Sequence, residues 1–177
     1  MGQSEREEFT RCWRANVDRV HAYAVRHVGV NGAQDVVSET FLHAWRRWSQ
    51  VPDPALPWLL GTARKVIGNG RRTERRRDAL VRRIAFLDEA ATSAEAAELV
   101  ATRRHAAIQA LAALNSNDRE ALLLVVWDGL TLEQSAKVLG VGLGTLRVRL
   151  HRARTRLAAA LEEHSDSETE EVPCLTD

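Results

Sequence analysis

An all-α protein, with two small helical domains joined by a linker and a helix-turn-helix in the C-terminal one, is what this sequence predicts. Three observations carry it. Only ten Gly and four Pro occur among 177 residues, and runs rich in Ala, Leu, Val and Arg dominate, a composition typical of helical chains. Apolar residues recur every three or four positions over long stretches. Residues 131–157, TLEQSAKVLGVGLGTLRVRLHRARTRL, carry the start, turn and face signals of a helix-turn-helix.

In chain order, Glu5 to Val28 reads as a first helix, with Phe9, Trp13, Val17, Val20 and Tyr23 at helical spacing. Val30-Asn31-Gly32 reads as a turn, and a second helix is expected over 33–48. Its broad apolar face holds Val36, Val37, Phe41, Leu42 or Thr40, Ala44, Trp45 and Trp48. Asp35 and Glu39 are four apart, so their carboxylates point the same way. A metal or acid–base pair would need a third ligand or a His at useful spacing. A solvated face or a docking face for a basic helix remains. VPDPAL (51–56) is a Pro-punctuated connector, and Pro57 suits the first turn of a third helix. Trp13, Trp45, Trp48 and Trp58 are expected in the core. Gly68-Asn69-Gly70 weakens that third helix by about 1 kcal/mol per Gly relative to Ala, so a kink or loop is expected there.

The second half begins after FLDEAATSAEAAELV, an Ala- and Glu-rich stretch without Gly or Pro, read as a linker. A helix is expected from about 98 to 114. Asn117, with Glu120 three residues on, reads as the capping arrangement of the next helix, 118–127. Thr131 and Gln134 form the capping box of the helix after that, and Gly140 suits the left-handed position that ends it. On the last helix Leu146, Leu150, Ala153 and Leu157 make an apolar stripe. Arg147, Val148, His151, Arg152, Thr155 and Arg156 fall largely outside it. Five Arg and no acid lie between 143 and 161, and Arg suits both phosphate and the acceptor edge of guanine. A tail from His164 is polar, acidic and expected to be disordered.

The net charge of +1 hides strong segregation. Residues 64–83 carry +7, 84–102 carry −4, 143–161 carry +5 and 162–177 carry −7. Two basic blocks separated by an acidic one point to a polyanion gripped at two places. The charged N-terminus lacks a signal-peptide core, and no apolar run is of membrane-spanning length. Cys12 and Cys174 and the six His show no ligand or redox spacing. No nucleophile–base pairing or phosphate-binding Gly loop is evident. The expectation is therefore a cytosolic, non-enzymatic protein without metal, cofactor, small-molecule substrate or membrane insertion.

These motifs identify a family. AQDVVSETFLHAWRRW (33–48), PALPWLLGTARKVIGNGRRTERRR (54–77) and LNSNDREALLLVVWDGLTLEQSAKVLGVGLGTLRVRLHRARTRL (114–157) resemble, in order, the polymerase-docking helix, promoter-melting segment and upstream-element reader of extracytoplasmic-function (ECF) RNA polymerase sigma factors. The resemblance implies core RNA polymerase and promoter DNA as partners and leaves room for an anti-sigma factor. It implies an N-terminal domain over 1–83, a linker over 84–102, a helix-turn-helix domain over 103–163 and an acidic tail over 164–177. Asp35, Ser38, Glu39 and Leu42 match the polymerase-docking surface. Lys65, Asn69, Arg71 and Arg72 match the positions at the minus-10 element. Arg147, Val148, His151 and Arg152, with Thr145 and Arg149 beside them, match the minus-35 reading face. Ser38 stands where the family commonly has Gln, and Lys65 where it has Asn. A stand-alone helix-turn-helix regulator, with an N-terminal sensing or dimerisation domain, is the competing reading.

Overall fold

The computed structural model describes residues 2–73 and 107–169, with side chains for 2–69 and 107–159. The expected acidic linker and the end of the tail lie outside the described residues. Every regular element described is helical.

Helix α1 (Gln3–Val28) buries Val20, Tyr23, Ala24 and Val25. It ends at Gly29, whose φ of 79° is a backbone conformation open to Gly without steric cost. Helix α2 (Val30–Arg46) starts on the next residue. The turn expected at 30–32 is thus the single residue Gly29, and Asn31 and Gly32 lie in the first turn of α2. A Cβ at Gly32 would make a tight contact with the Val28 side chain, 3.2 Å from its Cγ2. Ala33, Val36, Val37, Thr40, Phe41 and Ala44 form the buried face of α2. After a short 3-10 turn at Trp48–Gln50 and the Pro-rich connector, α3 runs Leu56–Thr73. Pro57 occupies its first turn as expected. The expected break at Gly68–Gly70 is absent, and α3 is continuous through it. Leu56, Leu59, Leu60, Ala63, Val66 and Ile67 are all buried, and their apolar contacts outweigh the roughly 1 kcal/mol helix penalty of each Gly.

In the C-terminal lobe, helical residues 107–113 (α4) lead into α5 (Ser116–Val126). The cap of α5 is Asn115 and not Asn117: its side chain accepts from the Asp118 amide at 2.9 Å and donates to the Asp118 carboxylate at 2.6 Å. Arg119 turns back and donates to the carbonyls of Leu111, Ala112 and Leu114. It satisfies the acceptors that the end of α4 leaves open. Helix α6 (Leu132–Leu139) has the expected capping box: the Gln134 amide donates to Thr131 Oγ1 at 3.2 Å, and the Thr131 amide to Gln134 Oε1 at 2.9 Å. Gly140, at φ 66°, ends it in the left-handed region. Helix α7 (Leu143–Thr169) continues five residues past the position where the disordered tail was expected to start.

The two halves share one core. Leu59, Leu60 and Ala63 of α3 join the same buried cluster as Ala136, Val138 and Leu139 of α6 and Leu146, Leu150 and Ala153 of α7. Helices α3 and α6 meet at Gly61, where a Cβ would stand in ordinary contact, 3.9 Å from Val138 Cα. The four Trp expected in the core are not buried. Trp13 and Trp45 are 42% and 39% exposed, and Trp48 and Trp58 are half-buried. Trp13 packs edge-on against Phe41, and Trp45 and Trp48 against Phe9. The small residues of the three-helix core leave these rings at its rim, where edge-to-face pairs hold them.

Candidate docking face and nucleic-acid interfaces

Each sequence-predicted set of site residues falls on one helix. Asp35, Ser38, Glu39 and Leu42 are all exposed on α2, at i, i+3, i+4 and i+7, opposite the face that α2 buries. Of the two alternatives the spacing offered for the apolar face, Thr40 is buried and Leu42 is 46% exposed. With Trp45 it gives the acidic row an apolar edge. Glu39 has a partner on its own helix, His43 at 3.7 Å, and such exposed pairs contribute little. The face can accept a basic helix with an apolar seam.

On α3, Lys65 and Asn69 are exposed one turn apart. Arg71 and Arg72 belong to the same helix, and their side chains lie outside the described ones. On α7, Leu146, Leu150 and Ala153 are buried as the stripe required, and Leu157 is half-buried. Thr145, Arg147, Val148, His151 and Arg152 are exposed, while Arg149 is half-buried. Val148 is 49% exposed and lies almost opposite the stripe, at the crest of the face. Arg147 faces Glu133 of α6. The Glu133 carboxyl is held below its usual range by its own backbone amide, then by the Thr131 hydroxyl, with a smaller pull from Arg147. No hydrogen bond or ion pair joins one set to another among the described residues.

Sequence reasoning missed the polar contacts between the lobes. Glu120 of α5 accepts from the Tyr23 hydroxyl at 2.7 Å and from Arg64 Nε at 3.0 Å, with His27 Nε2 at 3.6 Å. Burial pushes the Glu120 carboxyl up, but His27, Tyr23 and Arg64 together hold it down at about 2. Asp128 is only 3% exposed and accepts two bonds from Arg26 Nη2, at 2.6 and 2.8 Å. Its backbone carbonyl accepts from Arg19. Burial pushes the Asp128 carboxyl up, and Arg26 and Arg19 lower it only in part. The interface is thus cationic on the N-terminal side and anionic on the C-terminal side. One weak signal was available: Arg19, Tyr23, Arg26 and His27 recur at i, i+4, i+7 and i+8, on one side of α1.

A capped helix, a left-handed Gly turn and a second helix with an exposed Arg-rich face define a helix-turn-helix nucleic-acid reader, here built onto a three-helix partner lobe with an exposed acidic face on α2. Comparison with known proteins sharpens that class. Residues 12–77 match the sigma-70 region 2 family, and residues 104–157 match sigma-70 region 4. The ECF RNA polymerase sigma factor SigL of Mycobacterium tuberculosis is 32% identical over 148 residues, covering 80% of this chain and 81% of SigL. The probable RNA polymerase sigma factor RfaY of Xanthomonas campestris pv. campestris is 32% identical over 144 residues, covering 78% of this chain but only 36% of RfaY. Among solved structures, the sigma factor RpoE of Bartonella quintana, crystallised with the anti-sigma factor NepR, has a similar fold. Its TM-score is 0.63 at 22% identity, covering 88% of this chain and 98% of that one. CnrH, in complex with the cytosolic domain of CnrY, has a TM-score of 0.60 at 23% identity, covering 89% and 90%. The chain belongs to the sigma-70 family and is an RNA polymerase sigma factor of the ECF group. That family binds core RNA polymerase and promoter DNA and is not enzymatic. Among the described residues no helix is long and apolar enough to cross a membrane.

Proposed function

We propose that the chain docks on core polymerase through Asp35, Ser38, Glu39 and Leu42 and reads a promoter at two places. Lys65, Asn69, Arg71 and Arg72 grip the minus-10 element. Thr145, Arg147, Val148, Arg149, His151 and Arg152 address the minus-35 element, with Arg149 at the edge of that face. The supporting observation is the division of α7 into a buried Leu stripe and an exposed polar face behind a capped α6. Major-groove docking needs a helix fixed on one side and free on the other. Arg147 and Arg152 suit bidentate guanine contacts, and Val148 suits a thymine methyl.

In this reading residues 1–83 and 103–163 are two functional halves joined by the 84–102 linker and packed on one core in this structure, and the acidic tail begins at 164. The protein works in the cytoplasm, supplies no catalysis of its own, and uses no cofactor. An anti-sigma factor is a fitting partner, because a sigma factor of similar fold, RpoE of Bartonella quintana, was co-crystallised with one. A stand-alone regulator is disfavoured, since the N-terminal half matches region 2 and not a sensing domain. The decisive experiment is transcription in vitro with core polymerase on a promoter library. Selective initiation is expected, and initiation no more selective than core alone overturns the reading.

A further inference from the structure

Helix α7 is one unbroken element with two opposite charges. From Leu143 to Leu157 it carries five Arg and no acid, and from Ala158 to Thr169 it carries Glu162, Glu163, Asp166 and Glu168 and no Arg or Lys. Among the described residues, Leu157 is the last of α7 to pack against the core. Residues 158–169 therefore continue the helix by about 18 Å. The side chains of 160–169 lie outside the described ones, but the helix register places the residues. Asp166 follows Val148 by eighteen residues, about five whole turns, and Glu162 follows it by fourteen, about four. Both positions lie on the line of Val148, the crest of the reading face, with Glu163 beside them and Glu168 on the opposite side. Helix stability does not account for these acids, because carboxylates in the last turns oppose the helix dipole.

We propose that Glu162, Glu163 and Asp166 are specificity determinants that act by repulsion: they keep α7 from lying lengthwise on duplex DNA of any sequence. An Arg-rich helix laid flat along a duplex binds phosphates indiscriminately. On α7 that pose sets three carboxylates, in line with the Arg-rich face, against the same phosphates. The tilted pose escapes the repulsion. Val148 and Asp166 are about 27 Å apart along the axis, whereas the major groove is about 12 Å wide. With the N-terminal half seated in the groove, the acids stand beyond its wall. A tilt that lifts them one Debye length from the phosphates, about 8 Å at physiological salt, screens most of what remains. The tilted pose is also the one that brings Arg147, Val148 and Arg152 to base edges. The same face thus attracts DNA at one end and repels it at the other, and the difference falls on DNA without the element. The inference rests on the sigma-factor reading above and concerns how α7 rejects the wrong duplex.

The test compares holoenzymes carrying the wild-type chain, the Glu162→Gln/Glu163→Gln/Asp166→Asn triple variant, Asp166→Lys and Glu168→Lys. Each is titrated by fluorescence anisotropy with two duplexes, one bearing the upstream element that wild-type holoenzyme selects and one with that element scrambled. The triple variant is expected to bind the scrambled duplex about fivefold more tightly at roughly 50 mM salt, with a steeper salt slope. Its affinity for the selected duplex should rise less than about twofold, so the ratio of the two affinities falls. Asp166→Lys should act like the triple variant. Glu168→Lys makes the same charge change two residues away on the opposite side, and should leave the ratio near the wild-type value. Equal effects of Asp166→Lys and Glu168→Lys would mean that net charge alone matters, and would overturn the proposal. So would a wild-type ratio in the triple variant. Failure of wild-type holoenzyme to tell any upstream element from its scrambled form would overturn the parent reading instead. Circular dichroism of each free chain checks that α7 persists, and removal of acids that oppose its dipole should keep or raise helicity.

Discussion

Arg26 and Asp128 lie 102 residues apart in sequence, yet one guanidinium nitrogen reaches both oxygens of one carboxylate at 2.6 and 2.8 Å. The pair ties α1 to the turn that precedes α6, and Asp128 is almost completely buried. Desolvation opposes its charge, so the pair fixes how the lobes meet more than it stabilises them. Arg26→Ala would strand a buried carboxylate and should lower stability by about 3 kcal/mol. Arg26→Met with Asp128→Leu should recover much of that loss. Urea unfolding of the three chains checks it, and equal losses in single and double variants would count against the buried pair.

Acid pH should separate the two anionic contacts. The Glu120 carboxyl is held down at about 2, below its ordinary 4.5. A depressed carboxyl stabilises the fold above its unfolded value and loses that contribution as pH falls from about 4.5 to about 2. Asp128 is raised above 3.8 by burial. Its linkage has the opposite sign: stability falls as pH rises through 3.8 and beyond, because the native state holds the proton more tightly. Glu120→Gln should flatten the rise in stability between pH 2 and 4.5, and Asp128→Asn should flatten the fall above 3.8. Melting temperatures across pH 2–6 are the measurement.

The helix-turn-helix depends on two local features that the sequence made visible. Thr131→Ala removes an acceptor from the first turn of α6 and should cost about 1 kcal/mol. Gly140→Ala places a Cβ on a residue at φ 66° and should cost about 1–2 kcal/mol, with no clash, since no atom lies within 4 Å of the Cβ position. Thermal melting should register both, and Gly140→Ala should also weaken DNA binding by tilting α7. Unchanged melting in Gly140→Ala would mean that the turn relaxes.

What could be read from the chain follows the range of the forces. Thr131, Gln134, Gly140 and the Leu stripe of α7 were legible because caps, turns and helical faces are set within a few residues. Asn115 and Asn117 were confused because each sits three residues before an acid, Asp118 or Glu120, and only the geometry around Asp118 separates them. The Gly68–Gly70 break failed because propensity costs a kilocalorie or so, and burial along α3 exceeds it. Trp13 and Trp45 were misplaced because helical spacing says which side faces inward, but not how far the core extends. Glu120, Asp128 and their Arg partners left only a weak trace in the spacing along α1, being long-range pairs whose members look like ordinary surface charges.

The docking face proposed on α2 yields a charge-reversal prediction. Asp35 and Glu39 are exposed and outside the core, so changing both to Lys should leave melting nearly unchanged. Binding to core polymerase should be lost, because like charges would face a basic partner helix. Leu42→Ala should weaken binding less and without altering its salt dependence. Retention of the Lys variant in a core-polymerase pull-down would remove this role from α2.

The reading face of α7 gives the most residue-specific expectation. Arg147 and Arg152 stand on either side of Val148, all three exposed, while Leu146 and Leu150 fix the helix from behind. Either Arg→Ala change should weaken minus-35 recognition by about 1–3 kcal/mol at particular base pairs, and relax preference there. Arg156 is different: it stands 3.5 Å from Asp118, so its loss should act through the packing of α5 on α7 and weaken all sequences alike. Val148→Ala should affect only sites with a thymine at the facing pair, through the lost methyl contact. Profiling each variant holoenzyme on a library randomised at the upstream element distinguishes these patterns. Identical sequence preferences in Arg147→Ala, Arg152→Ala and wild type would show that this face of α7 does not read DNA.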